Sequence, residues 1–209
     1  MKQAIFLGLI FLLLIRCNRA PNTDKLSTDF VVLTNFDNKA NFKDFQTFVL
    51  PPYVSLISDN SSDSILDPQY GDPILAAIKT NLEARGYTQV SNNHTADLGV
   101  GAVALKEITI VSGWYPGSWW GYPGWGGCYW YYCGYYPVYP PYYPTYVYKT
   151  GSVIIDLVDL KHVPDQEPKL DVVWTNWNGG ALGVSSSDLQ NALQSIDQAF
   201  VQSPYLTNK

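Results

Sequence analysis

Few residues in this chain are able to do chemistry, and their spacing narrows what that chemistry is. Cys128 and Cys133 form a C-x4-C pair, while the two histidines, His94 and His162, lie far from it in sequence. A zinc site wants four ligands, or three and a water, and beside the pair stand only these two distant histidines, with no other soft ligand. The pair instead reads as a local disulfide of an oxidising compartment. Closing so small a ring contributes about 2 kcal/mol by restricting the unfolded chain. Asp156 and Asp159 are the one carboxylate pair with a spacing worth testing. Their offset of three puts them on opposite faces of a regular strand, so they do not converge on a substrate. Asp159 is expected to open a turn before Lys161. Asp156, in mid-strand among apolar residues, needs a partner, and Lys106 and Lys149 are the candidates on adjoining segments. Both histidines fall in turns and read as solvated turn residues. G-x-S-x-G, H-E-x-x-H and P-loop patterns are absent. The reading is therefore non-enzymatic, with no cofactor and no metal.

Aromatic rings are concentrated in one place. Residues 113–148 hold twelve Tyr, five Trp, seven Gly, six Pro and no charge. The prolines and glycines exclude a long helix and disfavour a central strand. Seventeen rings argue against ordinary disorder, which is poor in aromatics. An extended loop or irregular hairpin closed near its tip by Cys128 and Cys133 fits best. Trp114, Trp119, Trp120, Trp125, Trp130, Tyr131 and Tyr135 are its candidate binding surface. Such rings anchor protein interfaces and settle at membrane headgroups. They also stack on sugars, or simply pack on one another and on a sheet.

The N-terminus points to export. Ala4 to Ile15 is an unbroken apolar run of twelve residues after Lys2. It is too short to span a bilayer, which takes about 20, and fits the core of a signal peptide. Leu14-Ile15-Arg16-Cys17 resembles the lipobox of bacterial lipoproteins, with Arg16 where that motif has a small residue. Lipidation is expected on Cys17, with residues 1–16 as signal peptide, 17–29 as a polar tether and 30–209 as a single domain. Losing Lys2 and Arg16 takes the net charge from −5 to about −7. An acidic chain without a basic cluster argues against a nucleic-acid partner. It equally argues against electrostatic docking to anionic lipid, so the acyl chains must hold the membrane.

The elements that would position these groups carry their own signals. Strands are expected at residues 30–34 and 45–50, followed by an exposed loop over 55–71. Asp72 as cap and Pro73 at the first helical position open a helix. Ile74, Ile78 and Leu82 form its apolar face and Gly86 stops it. A buried strand runs from about Asp97 to Val111, with Gly99 and Gly101 allowing close approach of a neighbour. Residues 151–160 and 170–177 read as a hairpin. Ser187-Asp188-Leu189-Gln190 is a capping box for a helix that buries Leu189, Leu193, Ile196 and Phe200 and ends at Pro204. The order β-β-α-β-β-β-α implies an α+β domain, an antiparallel or mixed sheet of about five strands with both helices on one face. Lengthening a loop costs only about 0.6 kcal/mol per doubling, so the insert is expected to be separable from this fold.

Four stretches carry a family resemblance: Phe42-Lys43-Asp44-Phe45-Gln46-Thr47-Phe48; Leu82-Glu83-Ala84-Arg85-Gly86-Tyr87 with Ala96-Asp97-Leu98; Gly151-Ser152-Val153-Ile154-Ile155-Asp156-Leu157-Val158-Asp159; and Val173-Trp174. In their order and spacing they resemble the DUF4136 domain family of bacterial lipoproteins, whose function is unassigned. The insert is similar to that of Bacteroidetes-type members. The resemblance implies export and a lipid anchor, and offers no catalytic residues. Asn18, next to the cysteine, is not the aspartate that retains lipoproteins in the inner membrane, and the acidic surface-export cluster is also missing. The expected place is the outer membrane facing the periplasm. The expected role is an interaction or structural module of unknown specific role, held at the membrane by its lipid, with an envelope protein or a glycan as candidate partner and glycan binding through the insert as the alternative.

Overall fold

The computed structural model describes residues 31–58, 65–91, 93–106, 128–129, 132–133, 136–139, 151–163, 169–180 and 186–209. The expected signal peptide, Cys17 with its expected lipid, the expected tether and most of the aromatic insert lie outside these. Among the described residues no helix is long and apolar enough to cross a membrane.

Among the described residues, ten strands and two α-helices follow in chain order. They are β1 (Val31–Phe36), β2 (Thr47–Val49), β3 (Ser55–Ile57), α1 (Pro68–Ala84), β4 (Thr88–Gln89), β5 (Leu98–Leu105), β6 (Cys128–Tyr129), β7 (Tyr132–Cys133), β8 (Tyr136–Val138), β9 (Ser152–Asp159), β10 (Lys169–Gly179) and α2 (Ser186–Val201). Eight strands form one sheet in the order β1-β10-β9-β5-β2-β4, with β3 on β5 and β8 on β10. The fold is α+β and the sheet is mixed. The β1–β10–β9–β5 centre is antiparallel, while β2, β3, β4 and β8 join in parallel. The expectation of about five strands fell short because short strands carry no period. β3 lies inside the stretch expected to be loop, and β8 lies inside the insert.

Both helices cover one face. Ile74, Ile78 and Leu82 of α1 and Ile196, Ala199 and Phe200 of α2 share a core with Val100 and Ala102 of β5, Ile155 and Leu157 of β9, and Trp174 of β10. A second cluster lies on the opposite face, built from Val103, Leu105, Ile154, Val158, Leu170, Val172 and Trp177. A bulge between Val172 and Trp174 shifts the register of β10. It allows Val173 and Trp174, consecutive residues, to enter the same helix-side core, which strict alternation forbids. Trp174 is fully buried, and its indole N–H donates to Ser203 Oγ at 2.9 Å.

α1 begins five residues earlier than its expected start. The sequence has two Asp-Pro pairs, and the fold uses the first: Asp67 caps the helix, its side chain accepting from Gln69 N–H at 2.9 Å, with Pro68 at the first position. Leu66 N–H bonds Val54 O, anchoring the chain beside β3 just before the cap. Pro73 therefore lies within the helix, where it can donate no bond to the carbonyl one turn back. The other end matches expectation. Tyr87 N–H reaches Leu82 O and Gly86 N–H reaches Glu83 O, while Gly86 takes φ +98°. This is the Schellman pairing that favours glycine. The C-terminal tail closes over it, with Asn208 Nδ2 donating to Gly86 O and Thr207 Oγ1 to Arg85 O. Burial pushes the Tyr87 phenol well above its usual range, opposed by the nearby Arg85 charge, and its hydroxyl donates to Phe42 O.

A side chain at Gly86 would need the left-handed backbone and would run into the Asn208 side-chain oxygen. Gly86→Ala is expected to destabilise the domain by at least about 1 kcal/mol, read as a lower thermal midpoint. An unchanged midpoint would show that the tail does not lock this turn.

Candidate functional site

The sheet register gives the domain two distinct ends. At one, Val31 pairs with Gly179, Asn178 with Val153, and Leu105 with Ser152. The insert leaves and re-enters the sheet here. At the other, Phe36 pairs with Trp174, Val172 with Val158 and Leu98 with Asp159. Here the turn after β1 meets the turn between β9 and β10.

At this second end lies a shallow cleft of about 200 Å³, lined by Asp37, Lys39, Ala40, Asn41, Asp44, Phe45, Asp159, His162, Asp171 and Val173. Four carboxylates stand against one lysine and one histidine. Most of the polar groups are held locally. Asp37 Oδ1 accepts from Lys39 N–H, and Asn41 Nδ2 donates to Asp44 Oδ1, each at 2.9 Å. Asp159 caps its turn as expected, accepting from Lys161 N–H and His162 N–H, while Oδ2 lies 2.8 Å from His162 Nδ1. Lys161 ties the rim, donating to Asp44 O and lying 3.9 Å from Asp97.

The His162–Asp159 pair has the form of an oriented base, and the described lining holds no Ser, Thr or Cys. Among the described residues no three His, Cys, Asp or Glu side chains group to hold a metal ion. The four carboxylates of the cleft make the described lining predominantly acidic. Sequence reasoning missed Asp37 and Asp44 because polar residues in turns read as solvated, and Asp171 because it sits near the start of an apolar strand. The pairing of β1 with β10 brings them together across more than a hundred residues.

The expected site residues fare differently. Trp114, Trp119, Trp120, Trp125, Trp130, Tyr131 and Tyr135 lie outside the described residues, as does Cys17. Cys128 and Cys133 face each other in the β6–β7 register. Asp156 and Asp159 diverge as expected. Asp156 is 2% exposed and sits between Gly101 and Thr175 on the sheet face away from the helices. A partner that the sequence did not single out reaches it: Tyr139 of the insert, whose hydroxyl donates to Asp156 Oδ2 at 2.6 Å.

Comparison with known proteins gives a family and no activity. A DUF4136 family protein from Bacteroides thetaiotaomicron VPI-5482, solved as a crystal structure, is 39% identical with a TM-score of 0.73, covering 87% of this chain and 99% of its own. The PelC dodecamer from Paraburkholderia phytofirmans is 14% identical with a TM-score of 0.40, covering 85% of this chain and 98% of that one. A PDZ domain protein from Parabacteroides distasonis ATCC 8503 is 16% identical with a TM-score of 0.44, over 85% of this chain and 36% of its own. No curated protein matches. The domain of unknown function DUF4136 matches residues 32–205, nearly the whole described fold, and the chain belongs to that family.

Proposed function

We propose that this chain is a non-enzymatic cell-envelope lipoprotein: a lipid on Cys17 holds it at the outer membrane facing the periplasm, and its domain is an interaction module. The direction of β1 carries the reading. β1 begins at Val31, paired with Gly179, and runs toward Phe36 and Asp37. A tether from Cys17 thus joins the sheet at the end opposite the acidic cleft. The 14 steps from Cys17 to Val31 reach at most about 50 Å. The domain stays close to the membrane with Asp37, Asp159 and Asp171 turned outward. Four carboxylates there favour an envelope protein that presents basic groups. Glycan binding rests on the composition of the insert, and one of its described segments, Tyr136–Tyr139, is engaged with the sheet and Asp156.

The anchor is tested by Cys17→Ser, which is expected to release the protein from the membrane fraction and abolish acyl labelling. A variant that partitions like the parent, both without lipid, overturns the anchor. The partner surface is tested by a photo-crosslinker in living cells. At Asn41 it is expected to capture a protein, with yield lowered by Asp37→Asn/Asp171→Asn. At Lys79, on the exposed side of α1, it is expected to capture none. Equal capture at both positions sinks the assignment of the cleft.

Export also bears on the cysteines. Cys128 and Cys133 are directly cross-strand. Facing antiparallel residues lie about 4.5–5.5 Å apart at Cα, within the roughly 4.4–6.8 Å that a disulfide spans. We expect a bond between them in protein from an oxidising compartment. Mass spectrometry of non-reduced peptides would show one linked species, and two free thiols would refute it.

A further inference from the structure

We infer that β8 couples the acidic cleft to the buried face of the sheet: a peptide that presents basic groups to Asp171 and the closure of Tyr139 onto Asp156 stabilise one another. The inference rests on the reading of the cleft as a partner surface. β8 is three residues long and pairs in parallel with the first residues of β10, Tyr136 with Lys169, Pro137 with Leu170 and Val138 with Asp171. Asp171 therefore belongs to two places at once. It pairs with the end of β8, and it lines the cleft beside Val173. The residue that follows Val138 is Tyr139. It packs against the apolar cluster on the face away from the helices, and its hydroxyl donates to Asp156 Oδ2 at 2.6 Å. Asp156 is 2% exposed, and a carboxylate so buried depends on its hydrogen bonds. Four consecutive residues, 136–139, thus connect the wall of the cleft to a carboxylate inside the sheet.

Two features make this the part of the sheet that moves. β8 is short, and its middle residue, Pro137, has no N–H to give. The bulge between Val172 and Trp174 also breaks the register of β10 just beyond Asp171. A bulge interrupts the ladder and bends its strand, which sets Lys169–Asp171 apart from the continuous part of β10. β5 and β9, by contrast, are paired over eight residues each, and short pairings open at lower free energy than such central strands. When the start of β10 is ordered, β8 has a fixed partner and Tyr139 is held over Asp156. When Tyr139 lets go, β8 and the Asp171 wall loosen together. Thr175, which pairs with Asp156, lies four residues beyond Asp171, at most about 14 Å along a strand, so β10 and the Tyr139 side chain span the whole distance themselves. Linkage is reciprocal. A ligand that bridges Asp171 to Asp37 or Asp159 across the cleft tightens β8, and loss of the Tyr139 hydroxyl weakens that ligand.

Fluorophore-labelled pentalysine is the probe, with anisotropy reading affinity and amide hydrogen exchange reading the segment. The full chain is expected to bind it, and Asp37→Asn/Asp171→Asn to bind it at least about tenfold more weakly. Tyr139→Phe, which removes one oxygen and keeps the ring, should bind it at least about threefold more weakly. Exchange at 136–139 and 169–171 should rise in Tyr139→Phe, and should fall in the parent when pentalysine is saturating. A Tyr139→Phe variant that binds like the parent overturns the coupling, as does exchange in the parent that pentalysine leaves unchanged. If pentalysine does not bind the parent, or binds it regardless of Asp37 and Asp171, the reading of the cleft falls. The coupling is then judged on exchange alone, and Tyr139→Phe without a rise at 169–171 overturns it. If exchange in Tyr139→Phe rises across α1 as well, the whole domain has loosened. Val138→Gly, at an exposed position of β8, then decides by the same two readouts.

Discussion

A sheet whose central strands are buried on both sides must be covered twice, and the rest of this structure answers to that constraint. All eight residues of β5 are buried, as are seven of eight in β9. Burying apolar surface is worth about 25 cal/mol per Å², and a bare second face would forfeit that gain along the centre of the molecule. Two helices supply one cover. They pack on each other as well as on the sheet, and Asn81 Nδ2 of α1 donates to Asp197 Oδ1 of α2.

The helix side is closed by small, specific contacts rather than by more apolar area. Trp174 reaches its core through the bulge in β10, contacts Phe200 at 5.2 Å between ring centres, and gives its N–H to Ser203. Tyr205, just beyond, stacks on Phe36 at 3.9 Å. The last residues then lock onto the end of α1 through Arg85 and Gly86. One buried indole thus connects the antiparallel hairpin, α2 and the tail. A buried donor of this kind is costly to leave unpaired, at about 1–3 kcal/mol, which couples the tail to the core.

This arrangement separates stability from display. The apolar residues are spent on two internal layers. Four carboxylates gather at the turn end, where Asp37, Asp44, Asp159 and Asp171 come from segments far apart in sequence. The hydrogen bonds of Asp37, Asp44 and Asp159 hold the local chain in place.

Much of this was legible in the residues themselves. The apolar face of α2, the Gly86 stop of α1, the β9–β10 hairpin and the divergence of Asp156 from Asp159 are encoded within a few residues of one another, where period and cap chemistry suffice. Other features depend on pairings between distant segments. The Asp-Pro pairs at 67–68 and 72–73 are equivalent locally, and the anchoring of Leu66 to Val54 accompanies use of the first. Strands of two or three residues, β3, β4 and β8, show no alternation and exist because a neighbouring strand offers its edge. Tyr139 was one ring among seventeen until the sheet placed Asp156 beneath it. Local chemistry writes elements and their ends; long-range register decides which ends meet, and the cleft and the half-buried Tyr139–Asp156 contact are products of that register.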